Sequence, residues 1–242
     1  MIAGILEENG FIILPTVVSR EEVSSLIEAI SKPMATEAVR SRGGVFAIRN
    51  LLELSPAINE FAHSDRVSSL IQKHLAKPAF PVRATLFDKT DSANWLVPWH
   101  QDLTICVAAR HDVPGYGPWT IKAGVVHVQP PAAVLEDMLS IRIHLDDCDD
   151  SNGALRVLPG THKLGRLTAK QISEQQVEVP AVSCTGPTGS AVLMRPLLLH
   201  ASSAATKASH RRVLHIDYAA LQLDGGLRWA SWSSALQDLP AL

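Results

Sequence analysis

Ser140-Ile141-Arg142-Ile143-His144-Leu145 alternates polar and apolar side chains one by one, the period of a β-strand with one polar and one apolar face. It belongs to a series. Between residues 80 and 221, β-rich segments at about 80–88, 103–108, 124–129, 139–145, 154–158, 177–179, 189–194, 198–203 and 212–220 are separated by clusters of Pro, Gly, Asn and Asp. Short strands at this spacing predict an all-β sandwich or barrel, and a set of this size brings late strands back beside early ones, as in a jelly roll. Residues 110–124 interrupt the series with Pro114, Gly115, Gly117 and Pro118. They read as a mobile excursion from the sheet, a lid with Trp119 over a bound molecule.

Ahead of the β-rich part, Gly10-Phe-Ile-Ile-Leu-Pro15 reads as a strand. Ser19 followed by Arg20-Glu21-Glu22 reads as a helix N-cap with acids in the first turn. Val23, Leu26, Ile27 and Ile30 keep helical spacing until Pro33. Residues 34–50, with Arg40, Arg42, Gly43, Gly44 and Arg49, show little periodicity and read as a loop. A second helix is expected over 56–75. The expectation is one domain over 1–242: a helical N-terminal part to about residue 78, then a β core over about 80–221.

The 242 residues carry 22 basic and 24 acidic side chains, so nucleic acid is not an expected partner, since phosphate neutralisation needs a basic surface. No stretch approaches the roughly 18 apolar residues of a membrane-spanning helix. Met1 to Gly10 lacks the basic leader of a signal peptide, which points to the cytoplasm. Cys106, Cys148 and Cys184 are odd in number and form no CxxC pair, as expected of reduced, buried thiols. Nothing here speaks to oligomeric state.

His100-Gln101-Asp102 sets an imidazole and a carboxylate two residues apart, on one face of an extended chain. With a second histidine they would make the facial triad of non-haem Fe(II) oxygenases, which leaves positions for cosubstrate and dioxygen. The spacing alone is weak evidence: about 0.5 such pairs are expected by chance, and more than that occur, three of them in the β-rich part, at 100/102, 144/146 and 215/217. No histidine follows His215 to complete a triad in the usual order. His144 and Asp146 could still reach His200, but run into the polar stretch Asp147 to Asn152. From the first pair the long interval to His200 leaves room for the strands that would return it. Arg211, eleven residues after His200, stands where a guanidinium fork could hold the far carboxylate of a dicarboxylate cosubstrate, with Arg212 pointing the opposite way.

Together these residues resemble the phytanoyl-CoA dioxygenase family of Fe(II)- and 2-oxoglutarate-dependent oxygenases. The resemblance covers Gly10 to Pro15 with its following helix, Phe87-Asp-Lys89, Trp99-His-Gln-Asp102, Asn152-Gly-Ala-Leu-Arg-Val-Leu-Pro-Gly-Thr-His162, Gly189 to Arg195, and His200 to Arg211. It implies a double-stranded β-helix, iron on His100, Asp102 and His200, 2-oxoglutarate on that iron with its distal carboxylate at Arg211, and Ser202 and Lys89 as helpers. The implied reaction is oxidation, foremost hydroxylation, of a small organic molecule with release of succinate and CO2. Halogenation is disfavoured, because Asp102 fills the position left free for halide. Trp119, Lys122, His127, Gln129, Arg49 and His144 are the candidate substrate contacts, and their positive character points to an anionic substrate. Nothing announces a coenzyme A site. A metal-dependent cupin enzyme without 2-oxoglutarate and a non-catalytic ligand-binding barrel are the alternatives.

Overall fold

The computed structural model describes residues 2–34, 37–41, 45–207 and 210–231. Its strands are β1 (Phe11–Leu14), β2 (Val39–Ser41), β3 (Val45–Ile48), β4 (Phe80–Lys89), β5 (Val97–His100), β6 (Ile105–Val107), β7 (Trp119–Lys122), β8 (Val125–Val128), β9 (Met138–His144), β10 (Leu155–Val157), β11 (Val182–Cys184), β12 (Ala191–Met194), β13 (His200–Ser202) and β14 (Arg211–Ala219). A large sheet runs β1-β12-β9-β14-β4-β3-β2, a second runs β11-β10-β13-β5, and a third runs β6-β8-β7. Every pairing is antiparallel. This is a double-stranded β-helix.

Alternation along β14 divides the molecule. Leu214, Ile216 and Tyr218 join Ala84, Leu86, Leu139, Ile141 and Ile143 on the outer face of the large sheet, which packs against helices α2 (Arg20–Ser31), α4 (Pro56–His63) and α5 (Asp65–Leu75). Apolar burial at about 25 cal/mol per Å² holds that layer, and the Tyr218 hydroxyl satisfies its polar end by donating to the Ala62 carbonyl at 2.7 Å. On the other side, Phe11, Val192 and Met194 of the large sheet pack with Leu155, Val157, Cys184 and Leu198 around the second sheet. The intervening space opens into a cavity.

The helix over 20–31 is capped as its sequence implies: Ser19 and Glu22 exchange hydrogen bonds of 2.9 and 3.3 Å in a capping box. The expected helix over 56–75 is two helices, because Ser64 turns extended and its hydroxyl bonds the Phe61 carbonyl. The N-terminal part is less helical than expected. Residues 39–41 and 45–48 form strands β2 and β3, and Ala47 and Ile48 pair with Phe87 and Leu86 of β4; Arg42, Gly43 and Gly44 lie outside the described residues. Four further helices were not legible: α1 (Ile2–Asn9), α3 (Leu51–Leu54), α6 (Ala132–Glu136) and α7 (Ala169–Glu178), the last capped by Thr168 and Gln171. Helix α7 replaces the strand expected at 177–179. Val177 is 87% exposed there, and the strand follows Pro180, as β11.

The excursion at 110–124 is a correction of the same kind. Its second half is β7, paired with β8 across an Ala123-Gly124 turn in which both residues have positive φ, 51° and 76°. That is the backbone of a tight two-residue hairpin. Among the described residues no helix is long and apolar enough to cross a membrane.

His144 lies inside the fold, 2% exposed, with Nδ1 and the Ser190 hydroxyl 2.9 Å apart. Burial, with the charges of Arg142 and Arg211, lowers its pKa to about 4 from 6.5. Between these values the unfolded chain binds a proton that the native chain does not, so stability is full above pH 6.5 and falls as pH drops toward 4. Urea unfolding of metal-free protein should therefore lose about 2 to 4 kcal/mol more between pH 7 and 4 in the wild type than in His144→Gln. Equal losses would contradict the assignment.

Candidate metal centre and its cavity

Strand β5 ends at His100, and β13 begins at His200. The antiparallel register sets these two residues opposite each other, with ring centroids 4.2 Å apart. Each ring is aimed by its own backbone: His100 Nδ1 lies 2.8 Å from the Pro98 carbonyl and His200 Nδ1 lies 2.9 Å from the Leu198 carbonyl. A carbonyl only accepts, so Nδ1 carries the proton in both rings and the Nε2 lone pairs are free. Both turn toward Asp102, with Nε2 to carboxylate distances of 4.0 Å from His100 and 3.6 Å from His200. These are too long for hydrogen bonds and suit groups gathered around one ion.

Among the described residues this is the cluster able to hold a metal, its donor atoms all within 4.8 Å of one another. Two neutral imidazoles and a carboxylate, each imidazole backed by a carbonyl, fit Fe(II) with open positions. Burial keeps His200 neutral by lowering its pKa.

Asp102 lies past the end of β5, so strand alternation does not place it. Its backbone N–H donates to the Pro196 carbonyl at 2.9 Å. Gln101, between the two donors and facing away from them, ties three segments together: its amide donates to Gly165 and Leu197 carbonyls at 2.8 and 2.7 Å and accepts from the Leu167 N–H at 2.9 Å.

The other two pairs have different surroundings. Arg212 grips Asp146 with Nε at 2.8 Å and Nη2 at 2.6 Å, outside the barrel, while His144 bonds Ser190 inside it. His215 joins a buried chain. Arg142 Nη1 donates to His215 Nδ1 at 2.8 Å, which leaves Nε2–H to donate to Asp217 at 2.7 Å; Asp217 also meets Arg83 Nε at 2.5 Å and the Ser140 hydroxyl at 2.6 Å. Burial alone would raise the Asp217 pKa, but Arg83 and His215 hold it well below the usual carboxylate range.

A cavity of about 230 Å³ connects these groups. His100, Asp102 and His200 line it together with Ser202, Arg211, Arg49, Lys122 and His127, of which Lys122 is exposed and His127 buried. Arg211 is 3% exposed, and its Nε has no hydrogen-bond partner. Among the described residues no carboxylate pairs with it. Burial lowers its pKa to about 10, which leaves the guanidinium charged at neutral pH. Lys89, opposite Arg211 in the β4–β14 register, lies behind the wall; its Nζ donates to Ser202 Oγ at 2.9 Å and to the Ser203 carbonyl. The Ser202 O–H is thereby left free to donate into the cavity.

Trp119, Gln129 and His144 are not on the cavity wall. Trp119 packs against the apolar cluster around Val107 and Val128, with the Arg110 guanidinium 5.6 Å above its ring, and Gln129 uses its backbone to hold Gly117 and Pro118. Sequence reasoning missed Arg83, Phe87, Trp95 and His215 as wall residues, whereas Arg142, on the polar face of the 140–145 run, does line the cavity. The signal for His215 was available, since the phase that turns Arg211 inward also turns residues 213, 215 and 217 inward.

Gln101→Leu keeps the volume but strips partners from three buried or half-buried backbone groups. It should cost about 1 to 3 kcal/mol of stability and weaken Fe(II) binding by about 10- to 100-fold through the displaced ligands. Urea unfolding and anaerobic Fe(II) titration check this, and unchanged affinity would contradict the positioning role.

Comparison with known proteins gives a consistent result. The model of the family described as phytanoyl-CoA dioxygenase (PhyH) matches residues 6–213. The L-proline trans-4-hydroxylase of Streptomyces griseoviridis is 27% identical, over 87% of this chain and 82% of that protein. Among solved structures, EctD from S. alaskensis with 2-oxoglutarate and 5-hydroxyectoine superposes with a TM-score of 0.71 at 19% identity, over 90% of this chain and 75% of that one. The 2-oxoglutarate-dependent carbocyclase SnoK from nogalamycin biosynthesis gives 0.69 at 15% identity, over 99% and 90%. These structural likenesses show the fold, and the family match spans α1 to the early part of β14. The chain belongs to the phytanoyl-CoA dioxygenase family of Fe(II)- and 2-oxoglutarate-dependent oxygenases.

Proposed function

We propose that this chain, as one catalytic domain, hydroxylates a C–H bond of a small organic molecule, with iron held by His100, Asp102 and His200 and 2-oxoglutarate held through Arg211. The observation that carries the reading is a buried cationic Arg211 without a counter-ion among the described residues, lining the same cavity as two histidines whose free nitrogens converge on one carboxylate. When bound, Fe(II) with 2-oxoglutarate and dioxygen supplies the oxidising power: one oxygen atom enters the substrate as hydroxyl and the other enters succinate, with loss of CO2.

The protein positions the reactants and shelters them. Arg211 offers a desolvated guanidinium to the distal carboxylate, and Ser202, held by Lys89, offers its O–H beside it. Phe87, Trp95 and Leu155 line the same cavity and exclude water. The unpaired Arg211 disfavours a cupin enzyme that needs no 2-oxoglutarate. The L-proline hydroxylase relative supports a small substrate, and a mass-spectrometric screen with succinate release as readout would identify it.

Arg211→Ala should raise the 2-oxoglutarate requirement at least about tenfold, since removing one partner of a desolvated charged pair costs about 2 to 5 kcal/mol. Arg212→Ala, which breaks the outer pair with Asp146, should change it much less. Steady-state titration of 2-oxoglutarate decides, and a larger effect from Arg212→Ala would contradict the assignment.

A further inference from the structure

Asn50 and Ala123, 73 residues apart in sequence, both have left-handed backbones, with φ of 59° and 51°. That conformation is costly for a residue other than glycine. The Asn50 side-chain amide donates to the Ala123 carbonyl at 3.0 Å, so the segment after β3 is fastened to the tip of the β7–β8 hairpin. The fastening brings Arg49, next to Asn50, and Lys122, next to Ala123, to the rim of one cavity, with His127 farther in on β8.

The cations around this cavity do not have equal commitments. Arg83 is held by Asp217, and Arg142 donates to His215. In the reading above, Arg211 takes the cosubstrate, and the metal, Asp102, the 2-oxoglutarate dianion and Arg211 neutralise one another. Arg49 and Lys122 are left over. Among the described residues neither makes an ion pair; Glu37 reaches the same turn, its Oε2 3.5 Å from where a Cβ on Gly124 would stand, without pairing with either. His127, 4% exposed, is kept uncharged first by burial and then by Arg83, Lys122 and Arg49, so it adds no charge but can hydrogen-bond. The region is positive and concave, and among the described residues no carboxylate is ion-paired with Arg49 or Lys122.

Size limits the occupant. A cavity of about 230 Å³ is below the roughly 300 to 1,000 Å³ of drug-sized ligand sites, and it must also admit 2-oxoglutarate.

We infer that the primary substrate is a small oxyanion, a carboxylate or a phosphate monoester, whose charged group is bound at the rim by Arg49 and Lys122 while the rest of the molecule points inward to the metal. The inference rests on the oxygenase reading and adds the substrate class. Arg49 is the main anchor, because it is half-buried and presents a planar fork to two oxygens. Lys122 is exposed and contributes a screened charge.

The test uses full-length protein loaded anaerobically with Fe(II) and 2-oxoglutarate. The probes are small amino and hydroxy acids, each matched with its primary amide, together with methyl phosphate, and binding is read by calorimetry. At least one oxyanion probe should bind about tenfold or more tighter than its neutral counterpart. Arg49→Gln should remove that preference, Arg49→Lys should retain part of it, and Lys122→Gln should reduce it less. An advantage for the acids assigns a carboxylate, and one for methyl phosphate assigns a phosphate. If no anion is preferred, whether both members of a pair bind or neither does, or if Arg49→Gln keeps the preference, the inference is overturned. Fe(II) and 2-oxoglutarate binding measured on the same samples separates the two failures, since their absence would sink the oxygenase reading itself.

Discussion

The pairing of β5 with β13 in the register that sets His100 opposite His200 is the constraint on which the rest of the site depends. A one-residue slip of β5 against β13 would turn the His100 imidazole to the other face, away from His200. The register is supported from both sides. Strand β10 pairs with the far edge of β13, and Gln101 and the Asp102 backbone tie the chain after β5 to segments around Gly165 and Pro196. The geometry of the proposed metal ligands is thus written into backbone pairing, with side chains making the final adjustment through the two Nδ1 contacts.

The large sheet contributes the opposite kind of design. Its outer face is apolar and packs the helices, whereas its inner face carries Arg83, Arg142, Lys89 and Arg211 with Asp217 as counter-ion. Burying charge costs several kcal/mol per ion unless partners are well placed. The chain Arg83–Asp217–His215–Arg142 supplies such partners for part of this set. Arg211 has none among the described residues, and the proposed anionic cosubstrate would relieve that cost. On the proposed reading, binding of the anionic cosubstrate would offset part of the cost of burying these cations, which links folding energetics to function.

Much of this was legible in the sequence for a physical reason: strands have a period of two. The alternation in 140–145 and 211–218 gives both the strands and the inward direction of Arg211 against Arg212. His215 was set aside because no histidine follows it, a rule about metal ligands that says nothing about a buried network; its partners Arg142 and Asp217 are on the same inner face. The hairpin at 119–128 was hidden because its turn is Ala-Gly, without the Asn or Asp that usually marks such turns. Trp119 could be read from the sequence either as a cover for the site or as an anchor for its loop, and it packs as an anchor, against the cluster around Val107 and Val128. The short strands β2 and β3 gain their stability from β4, a contact between distant parts of the chain that no local pattern encodes.

The most direct test is anaerobic Fe(II) titration of metal-free wild-type protein, His100→Ala and His144→Ala, with metal content measured after removal of unbound ion. The account predicts one equivalent of iron in the wild type and in His144→Ala, and loss of binding in His100→Ala. Retention of iron by His100→Ala together with its loss from His144→Ala would move the centre to the second His-Asp pair and contradict the account.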